Sequence, residues 1–412
     1  MTKLVTEIDI PFIQAHLLPV ETDNPHETRK TQVNELIELS KHSWIVRSVI
    51  GYYVMHYEDV SAILKDKRWH SGLHVLQSLR KDADKEVLAK TSNNLTAMEG
   101  EEHAFIRHIA APAFSAALAE TQRMFSYKVA KQLLGEMVDN SHNEFVNNFC
   151  KKYPMLILCH TIGLPEEDWE KFTHWSNIMS SPVRENKAVR IEDLMEAERE
   201  FYLHISKIIS DRKQNPKDDF ITKLVNTEYH GKFLSYKQIA FIVGTMISGG
   251  METFIDHIGL CLVYLCDNTN VYAKIKENPD SIADAALEIT RLTSSIRGTL
   301  RIASEDIEYK DVLFPKGTFV FTSLASANRD KSRYENPDDF QLGRQHGGDM
   351  SFGGGVHYCM GAHLAKVELT EAIRAIVDTF DTISLKDVVY KPSNSGIFGP
   401  ESLNINYTLS GM

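Results

Sequence analysis

No two of the five cysteines, Cys150, Cys159, Cys261, Cys266 and Cys359, form a C-x-x-C pair, and their number is odd. Neither a disulfide framework nor a structural zinc site is expected from that spacing. Positive charge is in short supply. The chain has 45 Lys and Arg against 56 Asp and Glu, a formal net charge of −11, which argues against a general nucleic-acid binder and against attachment to anionic membranes. No apolar run is long enough to span a bilayer. The longest, IAFIVGTMISGGM from Ile239 to Met251, covers about a dozen residues and reads as a core helix. The opening MTKLVTEIDIPFIQAHLLPV holds no stretch of signal-peptide or anchor type. Internal repeats, low-complexity tracts and linker-like segments are also missing. A single compact cytoplasmic unit over residues 1–412 is the expectation, with no membrane and no nucleic acid as partner.

What is present is mostly helical. Phe125, Val129, Leu133 and Met137 recur every four residues as one apolar stripe. Pro165 suits a first helical position, with Glu166, Glu167 and Asp168 at the positive end of the helix dipole. Ser235 and Gln238 have capping-box spacing ahead of a helix expected to run through about Cys266. In the middle of that helix stands Gly249-Gly250, and each glycine weakens a helix by about 1 kcal/mol relative to alanine. Such a doubled cost implies that something packs or binds there. Strands are fewer: a hairpin over Ser43 to Tyr57, then Thr299 to Tyr309 and Gly317 to Leu324, separated by Lys310-Asp311 and Pro315. The fold class expected is mainly α with a small β region.

Four of the cysteines lie in apolar helical stretches and read as small buried hydrophobes. Cys359 differs, because it sits in SFGGGVHYCMG, Ser351 to Gly361. A thiolate can ligate a metal, and backbone N–H groups aimed at the sulfur tune its basicity. Glycines let a loop fold back far enough to aim them. Gly361 lets the following helix approach a flat ligand. Phe352, Gly353, Gly355, His357, Cys359 and Gly361 match, position by position, the F-G-x-G-x-H-x-C-x-G haem-binding loop of the cytochrome P-450 family, which the chain resembles from about Asn24 onward.

Three further matches follow in chain order. Glu288 and Arg291 in EITR share a helix face. Alone they would read as a surface ion pair, but in the family such a pair joins a third arginine, matched by Arg344, in a buried network behind the cysteine loop. Gly249, Gly250, Glu252 and Thr253 resemble the oxygen-binding motif, and a local distortion at the glycines is expected to turn Thr253 and Glu252 to different sides. His103, Arg107, Arg301 and His357 stand where the family contacts the haem propionates, and two buried carboxylates need charged partners. One departure is notable. Ser295 stands where a proline often follows the E-x-x-R arginine.

The resemblance implies a triangular helical prism holding haem b, with Cys359 as the axial ligand of the iron. It implies a monooxygenase that uses O2, a small to medium and largely apolar substrate, and electrons from a separate ferredoxin-type donor with its reductase. Lys366 and Arg374, two helical turns apart, could form a basic docking face for that donor. Peroxide-driven oxidation, oxidative coupling or desaturation remain open, as does a haem sensor or carrier without catalysis. The implied substrate pocket draws on Trp69 to Met98, Phe172 to Glu200, Phe241 to Thr253, Ser294 to Leu300 and Ser395 to Leu403. Ile296, Arg297 and Phe398 are its candidate contacts, with Arg297 suited to an acidic group on the substrate.

Overall fold

The computed structural model describes residues 2–13, 34–49, 51–73, 86, 94–184, 189–229, 231–345, 348–391 and 397–411. The helices that position the site are α1 (Tyr57–Lys65), α2 (Gly100–Ala110), α3 (Arg123–Asp139), α4 (Lys152–Ile162), α5 (Trp169–Arg184), α6 (Ile191–Gln214), α7 (Tyr236–Asp267), α8 (Ile282–Thr293) and α9 (Ala362–Thr379). Helix α3 carries the expected stripe. Val129, Leu133 and Met137 are buried and Phe125 packs at their edge, and α3 lies against α9.

Helix α7 is the axis of the larger core and touches α4, α5, α6 and α8. Its capping box is complete. Gln238 N donates to Ser235 Oγ at 3.3 Å, and Ser235 N donates back to Gln238 Oε1 at 2.9 Å. The helix runs 32 residues. It is the one helix among the described residues long and apolar enough to cross a membrane by length and composition, and half of its most apolar window is buried inside the fold. The span matches the sequence expectation, ending one residue beyond the anticipated Cys266.

Pro165 stands outside its helix, with extended ψ of 122°. A short 3-10 turn over Glu166–Asp168 then leads into α5. The three acidic residues still occupy the N-terminal end.

The expected hairpin forms as β1 (Ile45–Ser48) and β2 (Gly51–Val54). Ile50 at its turn lies outside the described residues. With β3 (Trp69–Ser71), β4 (Gly298–Ala303) and β7 (Phe319–Ser323) it makes a five-stranded sheet of order β1-β2-β7-β4-β3. Thr299 to Tyr309 is not one strand. The chain leaves the sheet after Ala303, where Ser304 N bonds Arg68 O. It resumes as β5 (Ile307–Tyr309), paired with β6 (Val312–Phe314) in a second sheet with Lys3–Leu4. Lys310 and Asp311, at φ of 50° and 58°, close this tight hairpin in the left-handed turn such connections favour. A third sheet, β8 (Phe380–Tyr390) with β9 (Pro400–Leu409), was not anticipated, although the β-branched residues of FDTISLKDVVY were a usable signal.

Candidate active site

The segment leading to the cysteine loop is held from behind. Arg291 Nε and Nη2 reach the two Glu288 carboxylate oxygens at 2.8 Å each. Arg344 Nε reaches Glu288 Oε1, also at 2.8 Å. All three residues are buried. Burial pushes the Glu288 carboxyl up, but the hydrogen bonds and charges of Arg291 and Arg344 outweigh it and hold the group below its ordinary value. Arg291 Nη1 donates on to the carbonyls of Asn328, 2.7 Å, and Pro337, 2.6 Å. Asn328 carries the constraint forward: its Nδ2 donates to Ser351 Oγ at 2.9 Å, and its Oδ1 accepts from Met350 N at 2.8 Å. The network thus ends at the first residue of the loop.

Within the loop, Gly353 and Gly355 have φ of 71° and 64°, a region suited to glycine. A Cβ on Gly355 would overlap the carbonyl oxygen of Leu64, so the loop is seated directly on α1. Cys359 N donates to Phe352 O at 2.9 Å, folding the loop back. The Gly361 N–H is a hydrogen-bond donor to the Cys359 thiol, a part its position in the sequence did not announce. Burial pushes the Cys359 thiol up, and that N–H and the charges of Arg107 and Lys366 offset part of the shift. The side chain nonetheless carries accessible surface.

The four cations cluster beside this loop. The His103 and His357 rings lie 4.5 Å apart between centroids, and Arg107 Nη2 donates to Tyr358 O at 2.7 Å. Arg301 is buried on β4 and donates to Leu300 O at 3.0 Å. Burial, then the charges of His357 and Arg107, pushes His103 down to about 4. Burial pushes Arg301 down to about 10. His103 Nε2 is buried without a hydrogen-bond partner.

The carboxylate facing the cluster is Glu99, whose Oε1 accepts from His357 Nε2 at 3.0 Å and from Ser71 N at 2.5 Å. Sequence reasoning passed over Glu99. Its place at the start of α2 suggests a cap, yet its side chain makes no capping bond and turns into the cluster instead. One glutamate leaves these cations short of counter-charge. A ligand with two carboxylates fits, because it would relieve both depressed cations and give His103 Nε2 an acceptor.

On α7, residues on both sides of the centre are buried, but Gly249 and Gly250 are exposed. A Cβ on Gly249 would meet nothing within 4 Å, and one on Gly250 only Leu158 Cδ2 at 3.7 Å. The glycines therefore keep room open beside the helix. The expected distortion is not found: α7 stays α-helical through them. Thr253 Oγ1 donates to the Gly249 carbonyl at 2.9 Å, which satisfies the hydroxyl without breaking the helix. Glu252 Oε1 accepts from Ser180 Oγ of α5 at 3.3 Å.

Among known proteins, residues 164–406 match the family model described as Cytochrome P450. The chain belongs to the cytochrome P450 family. The polyketide biosynthesis cytochrome P450 PksS of Bacillus subtilis (strain 168) is 30% identical over 363 residues, which span 86% of this chain and 89% of that protein. The biotin biosynthesis cytochrome P450 of the same strain is 29% identical over 83% of this chain and 86% of that one. Among solved structures, PksS superposes with a TM-score of 0.80 at 29% identity, covering 94% of this chain and 100% of that chain. P450BioI in complex with hexadec-9Z-enoic acid ligated acyl carrier protein does so with a TM-score of 0.81 at 26% identity, covering 93% and 99%. Relatives named hydroxylase/epoxidase and monooxygenase make this P450 an enzyme, a haem-thiolate monooxygenase that acts on an organic substrate with O2 and electrons from redox partners. A carrier without catalysis is set aside.

Of the candidate substrate contacts in this P450, Ile296 pairs with Ile397 in an isolated bridge. The Arg297 guanidinium lies 4.1 Å over the Phe398 ring, which also stacks on Tyr390 at 5.0 Å. Phe398 is only 1% exposed. It supports Arg297 from beneath and offers a ligand almost no surface of its own, unlike the contact anticipated. Of the anticipated pocket segments, 74–85, 87–93, 185–188 and 395–396 lie outside the described residues. A surface groove of about 650 Å³ between α5 and α6, lined by Trp175, His204 and Lys207 among others, contains none of the site residues.

Proposed function

We propose that the site binds haem b, with Cys359 as axial ligand and His103, Arg107, Arg301 and His357 on the two propionates. The observation that carries this reading is the group formed by buried His103 and Arg301 with half-buried Arg107 and His357, short of anions, beside a cysteine that receives a backbone N–H. When bound, the haem supplies activation of O2 and insertion of one oxygen atom into the substrate. Phe352, Gly353 and Gly361 shape the loop face against it. Gly361 N–H holds the sulfur and tempers its basicity. Gly249 and Gly250 keep the facing space open. Glu252 takes protons from the solvent side. Thr253 Oγ1, released from the Gly249 carbonyl, holds a proton or an ordered water in that space.

The substrate is largely apolar and medium-sized, in keeping with relatives named for polyketide and biotin biosynthesis, and Arg297 pairs with an acidic group at one end of it. Lys366 and Arg374 on α9 receive a ferredoxin-type donor in the cytoplasm, and the whole chain acts as one catalytic unit. The reduced carbon-monoxide spectrum of the purified protein tests the haem assignment: a thiolate-type Soret band with stoichiometric haem is expected, and its absence overturns the reading. For Arg297, titration with hexadec-9Z-enoic acid and its methyl ester, read by the low-spin to high-spin Soret shift, should favour the acid, and Arg297→Ala should abolish the preference. Equal affinities remove this role for Arg297.

A further inference from the structure

The serine that replaces the family's frequent proline makes a contact that proline cannot. Ser295 is buried just beyond α8, and its Oγ donates to the carbonyl oxygen of Thr253 at 3.1 Å. Within α7 that carbonyl also accepts the helix's own bond from one turn ahead, and a carbonyl oxygen has two lone pairs to share. Both polar groups of Thr253 are therefore committed: the hydroxyl upstream to Gly249, the carbonyl sideways to Ser295. Ser295 is itself held from its other side. Its carbonyl accepts from Phe398 N at 3.0 Å, and the next residue, Ile296, bridges Ile397.

Two of these segments, α7 and the chain on either side of Phe398, meet again one turn along α7. Lys391 Nζ lies 2.8 Å from Asp256 Oδ1, and a Cβ on Gly399 would overlap Asp256. Proline at 295 would leave this backbone packing in place but would supply no donor to α7.

We propose that Ser295 is a positioning residue that sets the placement of Thr253 from outside its helix and links it to Ile296–Arg297, the segment assigned to the substrate in the proposed function. This rests on the proton-handling role given to Thr253 above. An occupant that presses on Ile296 or Arg297 moves the Ser295 hydroxyl against the Thr253 carbonyl, so filling of the pocket is felt at the residue that manages protons. Because the bond reaches the backbone and not the threonine side chain, it biases where Oγ1 sits without competing for it.

The test uses the holoenzyme with Ser295→Ala, Ser295→Pro, Ser295→Thr and Thr253→Ala. Hydrogen–deuterium exchange of peptides covering Gly249 to His257 should quicken by about tenfold in Ser295→Ala and Ser295→Pro, the upper range for loss of one hydrogen bond. Ser295→Thr, which keeps the hydroxyl, should match the native protein. In parallel, optical titrations give the ratio of affinities for 4-phenylimidazole, which must fit under the helix, and for imidazole, which fits more freely. That ratio should move about threefold or more in Ser295→Ala, in the same direction as in Thr253→Ala, and stay put in Ser295→Thr. Unchanged exchange in Ser295→Ala overturns the proposal. So does faster exchange with an unmoved ratio, which would leave Ser295 a structural tie only, and so does failure of threonine to rescue. A native protein whose spectrum ignores imidazole defeats the haem reading itself, a result distinct from an unaltered Ser295→Ala on a responsive native enzyme.

Discussion

Cys359 is the residue on which the chemistry turns, and its replacement gives the sharpest test. Cys359→Ser removes the soft donor while keeping size and loop geometry, so the reduced carbon-monoxide band should leave the thiolate position entirely. A variant that keeps the native band would place the iron ligand elsewhere. His257 gives a pH test away from the iron. It is buried on α7 with Nε2 2.9 Å from Thr290 Oγ1 of α8, and burial pushes it from 6.5 down to about 4. The unfolded chain therefore takes the proton first. The contribution of neutral His257 is intact above pH 6.5 and is lost as pH falls towards about 4, a change on the order of 3 kcal/mol. Melting temperatures of the native protein and His257→Gln, followed from neutral pH downward, should converge as the native advantage disappears. Parallel curves would show that another group carries the acid sensitivity.

At this scale the sequence was legible where chemistry is written in short spacings. The cysteine loop and the EITR pair each have partners within a few residues, so their geometry follows from local backbone; the HAFIR pair meets His357 and Tyr358 about 250 residues on, and only the resemblance marked it. Glu99 and Ser295 were not legible as contacts, because their partners His357 and Thr253 lie 258 and 42 residues away. A departure from pattern marked Ser295; no pattern marked Glu99.

Among the elements, α7 shows what propensity can and cannot tell. The capping box located the helix, and the cost of paired glycines marked the place where room is left beside it. The expected distortion did not follow, since Thr253 Oγ1 satisfies itself on Gly249 and nothing forces the turn open. The prediction attached to this helix survives that correction. Thr253→Ala should keep haem, Cys359 ligation and substrate binding, while more peroxide and less product form per NADPH oxidised. Wild-type coupling in that variant would route protons through other groups. For α8, Arg291→Ala takes two charge-assisted hydrogen bonds from the buried Glu288 carboxylate and the Nη1 donor from the carbonyls of Asn328 and Pro337, at about 3–5 kcal/mol for a broken buried ion network. Little soluble haem protein should result, and a normal haem-to-protein ratio with a normal melting temperature would contradict the buried geometry. The β8–β9 sheet escaped notice because its outward residues blur the alternation: six of the eleven β8 positions are exposed, Val389 among them, with no continuous apolar face to read.

For the molecule as a whole, the helical class and the small β region followed from periodicity, but the assignment of strands to four separate sheets among the described residues did not, because membership of the larger sheets depends on pairings between distant segments. The electron donor must approach from outside. On α9, Lys366 Nζ lies 5.1 Å over Phe352, and Arg374 pairs with Glu371 at 3.3 Å. Charge reversal at Lys366 together with Arg374→Gln should slow reduction by a ferredoxin at low salt, with the difference shrinking as salt rises. A salt-independent rate would reject electrostatic docking on this face.

The seat of Gly355 on the Leu64 carbonyl joins positions roughly 290 residues apart. A ribosome adding about 5–20 residues per second needs on the order of 15–60 seconds to travel between them. Throughout that interval the early helix waits for a loop that does not yet exist. Cofactor loading is therefore one of the last events in the making of this protein, and a nascent chain arrested short of Gly355 should emerge colourless, however well its first helices have folded.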